Sequence, residues 1–104
     1  MPCVLQMDFP TDGPFGAAMA EAFAELAESI NDEPGFRWKV WTENRDAGEA
    51  GGIYLFDSYE TAQRYLDKHT ERLSGFGISA VNGKIFEVNE ALSAINHAPV
   101  SGES

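Results

Sequence analysis

The stretch from Glu33 to Phe56 limits the fold of this chain more than any other. Phe36, Trp38, Val40 and Thr42 alternate with Arg37, Lys39, Trp41 and Glu43, which is the period of an extended strand. A second run of β-branched, aromatic and aliphatic residues follows from Gly52 to Phe56, and Asn44 to Gly48 supply turn chemistry between the two. The segment reads as a β-hairpin that carries both tryptophans of the chain. Side chains of a strand pair point to opposite faces, and here both sets contain large aromatics. A sheet built around this hairpin therefore has to be covered on both sides.

The flanking segments supply one cover. Cys3 to Phe9 alternates apolar and polar residues and stops at Pro10, as a first strand does. Phe15, Met19, Ala22, Phe23, Leu26 and Ile30 recur at steps of three and four, the stripe of a helix that Pro34 and Gly35 bring to an end near Asn31 and Asp32. After the hairpin, Asp57 or Ser58 can cap a second helix, with Tyr59, Ala62, Leu66, His69 and Leu73 as its inward stripe and Ser74 and Gly75 at its close. Ser79 to Val88 reads as a last strand with a bulge at Asn82 and Gly83. Ala91, Leu92 and Ile95 make a short helical pattern, and the tail from residue 97 to 104 is expected to be disordered. The order is βαββαβ over residues 1–96, one domain of the α+β class: a ferredoxin-like fold with a four-stranded antiparallel sheet and two helices on one face.

Two helices leave the second sheet face bare. A second copy pairing sheet to sheet would cover it, because a symmetric dimer buries the same patch on both partners. The expectation is a homodimer burying at least about 1,000 Å² in total. Its structural alternative is a monomer with Trp41 and one of Tyr54 or Phe56 half exposed.

Charge and composition narrow the function. With 17 acidic and 7 basic residues the formal charge is −10, which disfavours nucleic acid and anionic membranes as partners. No apolar run approaches the roughly 18 residues of a membrane span, and the amino terminus lacks the pattern of a secretion signal, so a cytoplasmic protein is expected. Cys3 is alone and reads as a small buried hydrophobe. His69 and His97 have no metal-ligand spacing, Gly51 and Gly52 do not form a dinucleotide or phosphate loop, and no nucleophile elbow is present. No metal or organic cofactor is expected.

Among titratable groups His69 stands out, because Leu66 and Leu73 place it on the inward helix face. Tyr65 and Arg72 flank it at four residues before and three after and could line the edge of a cleft. For each, a packing role is the plainer alternative: a core histidine bonded to a carbonyl, and helix flanks against solvent. Trp38, Trp41, Tyr54 and Phe56 offer flat apolar walls for an aromatic ligand, or simply core and interface packing. Register decides between them. If Asn44 pairs with Glu49, Trp38 opposes Leu55; with a loop one residue longer, Trp38 opposes Tyr54.

Five blocks carry a family resemblance: Gly13 to Gly16 (GPFG), Leu26 to Glu43 (LAESINDEPGFRWKVWTE), Glu49 to Phe56 (EAGGIYLF), Tyr65 to Leu73 (YLDKHTERL) and Phe86 to Asn96 (FEVNEALSAIN). Together, over residues 4 to 98, they resemble the YdhR-type mono-oxygenases, small dimeric α/β-barrel proteins of ferredoxin-like fold. The resemblance implies a homodimer with facing sheets and, through cofactor-independent quinone-forming relatives, oxygen chemistry on a small aromatic molecule. The same fold also hosts haem-degrading enzymes, isomerases, decarboxylases and stress proteins. The Asn, Trp and His trio of the haem-degrading branch is not met, since the first strand offers Gln6 and Asp8 and the tryptophans lie on the second strand.

An oxygenase of this kind takes its electrons from the substrate: a phenol, hydroquinone or anthrone-like ring loses a proton and its anion reacts with O2. On that reading His69 is the base, Arg72 favours the anion, Tyr54 or Tyr65 gives a hydrogen bond, and Trp38, Trp41 and Phe56 are the substrate-binding aromatics, with Trp38 as stacking wall. The alternative is a dimeric small-molecule binding or stress-associated protein without catalysis; haem binding is a third reading.

Overall fold

A computed structural model describes residues 1–100. Strand β1 is Cys3–Pro10, helix α1 Gly16–Ile30, β2 Phe36–Asn44, β3 Glu49–Phe56, α2 Tyr59–Gly75, β4 Asn82–Glu87 and α3 Glu90–Ile95. The strands form one antiparallel sheet in the order β2-β3-β1-β4. This is the expected ferredoxin-like arrangement, with the short third helix added after β4.

Asn44 lies opposite Glu49 and Trp38 opposite Leu55, the shorter-loop register. In that register Lys39 faces Tyr54 and Trp41 faces Gly52, while β1 sets Leu5 beside Tyr54 and Cys3 beside Phe56. Lys39, Trp41, Tyr54, Phe56, Cys3, Leu5 and Met7 thus share one face. Trp38, Val40, Ile53 and Leu55 share the other.

Local chemistry starts the helices differently. Ser58 caps α2 through a capping box: its Oγ accepts from Thr61 N–H at 3.2 Å and its own N–H donates to Thr61 Oγ1 at 3.3 Å. No side chain of its own caps α1, and the Gly16 N–H instead donates to Glu43 Oε1 on β2 at 2.7 Å. The core collects where α2 crosses the sheet: Leu5, Met7, Tyr54, Phe56, Ala62, Tyr65 and Leu73 are buried there with Ile30 of α1. Each large apolar side chain contributes roughly 1.5–3 kcal/mol by leaving water, so this half of the domain carries most of the stability.

Several expectations need correction. Alternation along β2 is broken by a bulge between Phe36 and Trp38, which turns Phe36 onto the helix face against Phe56 while Arg37 pairs with Asp57. No bulge occurs at Asn82 and Gly83, which pair regularly with Asp8 and Met7. Gly83 instead leaves the space that Leu66 fills, since a Cβ there would lie 2.5 Å from Leu66 Cδ1. On α2 the buried row is Ala62, Tyr65, His69 and Leu73, at steps of three, four and four, whereas Tyr59 is exposed and bonds Gln63 on the outer side. Cys3 is buried, as expected.

The segment after α3 returns to the sheet. Trp38 Nε1 donates to the Pro99 carbonyl at 2.8 Å, and Val100 is buried. The expected disorder therefore does not hold for Pro99 and Val100, and residues 101–104 lie outside the described residues. Val40 and Phe86, on the same face, stay about half exposed. No helix among the described residues is long and apolar enough to cross a membrane.

At Gly51 the backbone of β1 comes so near that a Cβ would stand 1.9 Å from the Met7 carbonyl oxygen. Gly51→Ala is expected to cost at least about 2 kcal/mol, because backbone rather than a flexible side chain has to move, against about 1 kcal/mol for Ser58→Ala at the helix cap. Urea unfolding of the two variants checks this order.

Candidate active site

A cavity of about 600 Å³ lies between α1 and the helix-facing side of the sheet. Its walls are apolar: Met7 and Phe9 from β1, Met19, Phe23 and Leu26 from α1, and Trp41 from β2. Lys39, Tyr54 and His69 bring polar atoms to it from three elements, and Glu25 of α1 is also at its lining. An apolar cavity with a few convergent polar groups is what a small-molecule site requires.

Lys39 is the group that the sequence reading passed over. Its Nζ lies 3.3 Å from the centroid of the Trp41 ring and 4.5 Å from that of Tyr54, a cation-π arrangement on two rings. Gly52 makes room for it, because a Cβ there would lie 2.6 Å from Lys39 Cε. Burial, and then the Arg72 charge, lower the ammonium from its ordinary 10.5 to about 7. The ring faces beneath it work the other way, since they favour the charged form. The signal for Lys39 was in the sequence: it shares a strand face with Trp41, so it follows that ring wherever the ring goes.

His69 sits on the buried row of α2, its ring stacked on Tyr65 at 5.1 Å. Its Nδ1 is buried and, among the described residues, has no hydrogen-bond partner. Burial first, then the charges of Lys39 and Arg72, push the imidazole down to about 4, so it is neutral at physiological pH. Burial likewise raises the Tyr54 phenol far above its usual range and Tyr65 to about 12. The two phenols influence each other across rings 5.1 Å apart, yet Tyr65 Oη stands outside hydrogen-bonding geometry and has no partner.

The structure brings His69, Tyr54 and Trp41 together and separates the rest. Trp38 is on the opposite face of the sheet, bonded to Pro99, so the stacking-wall role expected for it is corrected: Trp41 is the tryptophan at the cavity, stacked on Phe23 at 6.1 Å. Phe56 and Tyr65 are core residues beneath α2 rather than cavity walls, because the β2–β3 register and the row through Ala62 turn them inward. Arg72, one turn beyond His69, does not line the cavity. It lies 4.0 Å from Glu33, whose carboxylate also takes Lys68 at 2.6 Å, and acts on the site through its charge. Among the described residues no three His, Cys, Asp or Glu side chains come together as metal ligands.

Comparison with known proteins gives a family and a set of folds. The family model described as "Putative mono-oxygenase ydhR" matches residues 4–99. Among solved structures, SnoaB, a cofactor-independent oxygenase from Streptomyces nogalater, is similar with a TM-score of 0.60 at 20% identity, over 85% of this chain and 93% of its own. A monooxygenase from the ActVA-Orf6 gene of Streptomyces coelicolor, solved with the ligand nanaomycin D, gives 0.57 at 21% identity over 84% and 87%. Rv0793 from Mycobacterium tuberculosis gives 0.54 at 18% identity over the whole of both chains. At these identities the likeness is one of fold. No curated protein matches the chain.

The burial of His69 sets a pH dependence. Above about 6.5 the imidazole is neutral folded or unfolded; between 6.5 and about 4 the unfolded chain takes up a proton that the folded site refuses. Stability therefore falls as pH drops through that window, by up to about 3 kcal/mol from this group. His69→Leu is expected to remove that part of the slope, as read from urea midpoints measured between pH 7 and pH 4.

Proposed function

This chain belongs to the ydhR family, and from that premise we propose that it is a cofactor-independent mono-oxygenase acting on a small aromatic phenol or hydroquinone-type compound, in the cavity under α1. The observation that carries the reading is the placing of Lys39, His69 and the Arg72 charge around an otherwise apolar, aromatic-walled space. Such a space admits a neutral ring and favours its anion once formed.

The ring lies against Trp41. Neutral His69 accepts the acidic proton; its imidazolium is costly alone, but the anion formed beside it supplies the opposing charge. Lys39 and Arg72 lower the cost of the negative charge, and Tyr54 donates a hydrogen bond to the developing oxyanion. The electron-rich ring carbon then gives an electron pair to O2 and forms a carbon–oxygen bond. Cleavage of the resulting peroxide, with loss of hydrogen from the same carbon, leaves a carbonyl and releases water. One oxygen atom stays in the product and the ring supplies all the electrons. Most of the wall around the anion is apolar.

Half-exposed Val40 and Phe86, on the face that carries Trp38, support the pairing of two copies through that face. Sedimentation at micromolar concentration is expected to give about twice the 11.4 kDa chain mass. A single-chain mass would remove the dimer.

One observation favours the rival reading, a binding protein without turnover: an imidazole held down at about 4 is a weak base for an ordinary phenol. Anthrone, naphthol and hydroquinone substrates, incubated with and without O2, separate the two. Turnover with O2 uptake, lost by at least about 100-fold in His69→Ala, is the expected result. Saturable quenching of tryptophan fluorescence without product would instead establish the rival.

A further inference from the structure

We propose that Lys39 is a nucleophilic amine which captures an apolar aldehyde or ketone in the cavity under α1 as an imine. The proposal does not rest on the oxygen chemistry. It concerns a second reaction at the same cavity, one that consumes no O2.

Three features of the geometry carry it. Lys39 reaches the cavity wall without a carboxylate partner: among the described residues, the ion pairs join Arg37 to Asp57 and both Lys68 and Arg72 to Glu33. The other charged or titratable groups that line the cavity with it or act on it are His69 and Arg72 from α2, Tyr54 from β3 and Glu25 from α1. Among the described residues no carboxylate pairs with it. Next, Gly52 vacates the space across which the Lys39 stem lies, so the amine rests on Trp41 and Tyr54 in a fixed position rather than extending to solvent. Finally, the walls around it are apolar, which suits a hydrophobic carbonyl compound and disfavours water.

An amine becomes a nucleophile at neutral pH when it is desolvated or placed beside another cation, and Lys39 has both conditions. Its lone pair attacks the carbonyl carbon and the C=O electron pair moves to oxygen. One N–H proton passes to that oxygen to give a carbinolamine. The hydroxyl then leaves as water, carrying the second N–H proton, and the C=N bond forms. No electron is gained or lost overall. The ring or chain of the carbonyl compound lies on Trp41.

The chain contains its own controls, since Lys68 is ion-paired and exposed and Lys84 is exposed on β4. The full chain is treated at pH 7 with benzaldehyde and cyanoborohydride, which delivers hydride to an imine in preference to the aldehyde and fixes it as a secondary amine, and the label is located by peptide mass mapping. Lys39 is expected to label at least about tenfold faster than Lys68 and Lys84, because far more of it is neutral at that pH. The Lys39 rate should rise to a plateau around pH 7 to 8 and not continue toward pH 10, as that of Lys84 does. Arg72→Gln is expected to move the Lys39 midpoint upward while leaving Lys84 unchanged. Equal labelling of Lys39 and Lys84 in the unaltered protein would overturn the proposal, as would a Lys39 profile that still climbs at pH 10. The comparison is made within one folded chain, so it does not depend on a variant folding. Oxygen uptake with phenols, measured on the unlabelled chain, is a separate readout and tests the oxygenase reading alone.

Discussion

The register of β2 against β3 is the constraint on which the rest depends. A strand reverses all its side chains when it slips by one residue, and here a slip would move Lys39 and Trp41 to the outer face and Trp38 inward. Pairing of Asn44 with Glu49 fixes the choice, and the Asn44 side chain supports the turn by accepting from the Ala47 N–H at 3.0 Å. At the other end of the strand the bulge at Arg37 is what lets Phe36 join the core although its neighbours by alternation do not. One end sets the site and the other lets the core close beneath α2.

The cavity follows from an uneven distribution of packing. Helix α2 presents Ala62, Tyr65, His69 and Leu73 closely to the sheet. Helix α1 is anchored mainly near its ends, by Glu43 on the Gly16 N–H and by buried Ile30, and through Met19 and the Phe23 and Trp41 stack between them. The space left under α1 is where Lys39 and His69 lose water without gaining a carboxylate. Unpaired burial of this kind opposes stability, since both groups would be better solvated in the unfolded chain. Groups displaced from their ordinary ionisation in this way cluster at functional sites in proteins generally.

Much of this could be read in the residues, for physical reasons that differ by element. The helices announce themselves by three-and-four spacing and by Ser58, the hairpin by alternation and turn residues, and the family through blocks spread over nearly the whole chain. His69 was legible because Leu73 lies one turn away on the same row. An inward row opened at Tyr59 leaves Tyr65 on a flank; in the structure Tyr59 is exposed and the buried row runs through Tyr65 instead. Trp38 and Trp41 could not be told apart, as both registers use the same turn residues. Lys39 was missed because a charged residue in a strand reads as solvent-facing unless something else on that face is known to be buried. Gly83 read as a bulge only because its real purpose, room for Leu66, belongs to another element.

The contrast between the exterior and the cavity gives a last constraint on the ligand. The chain carries a formal charge of −10, so the field around it repels a preformed anion before it reaches the mouth of the site. Inside, Lys39 and the Arg72 charge favour negative charge on whatever lies against Trp41. On the function proposed above, an exterior that turns anions away and an interior that stabilises them together favour a neutral molecule that ionises or reacts after entry. A phenol that loses a proton to His69 meets that condition, and so does a neutral carbonyl compound that meets the Lys39 amine. A carboxylate or phosphate ligand meets only the interior half of it, and the apolar walls leave it few hydrogen bonds in exchange for the water it would lose.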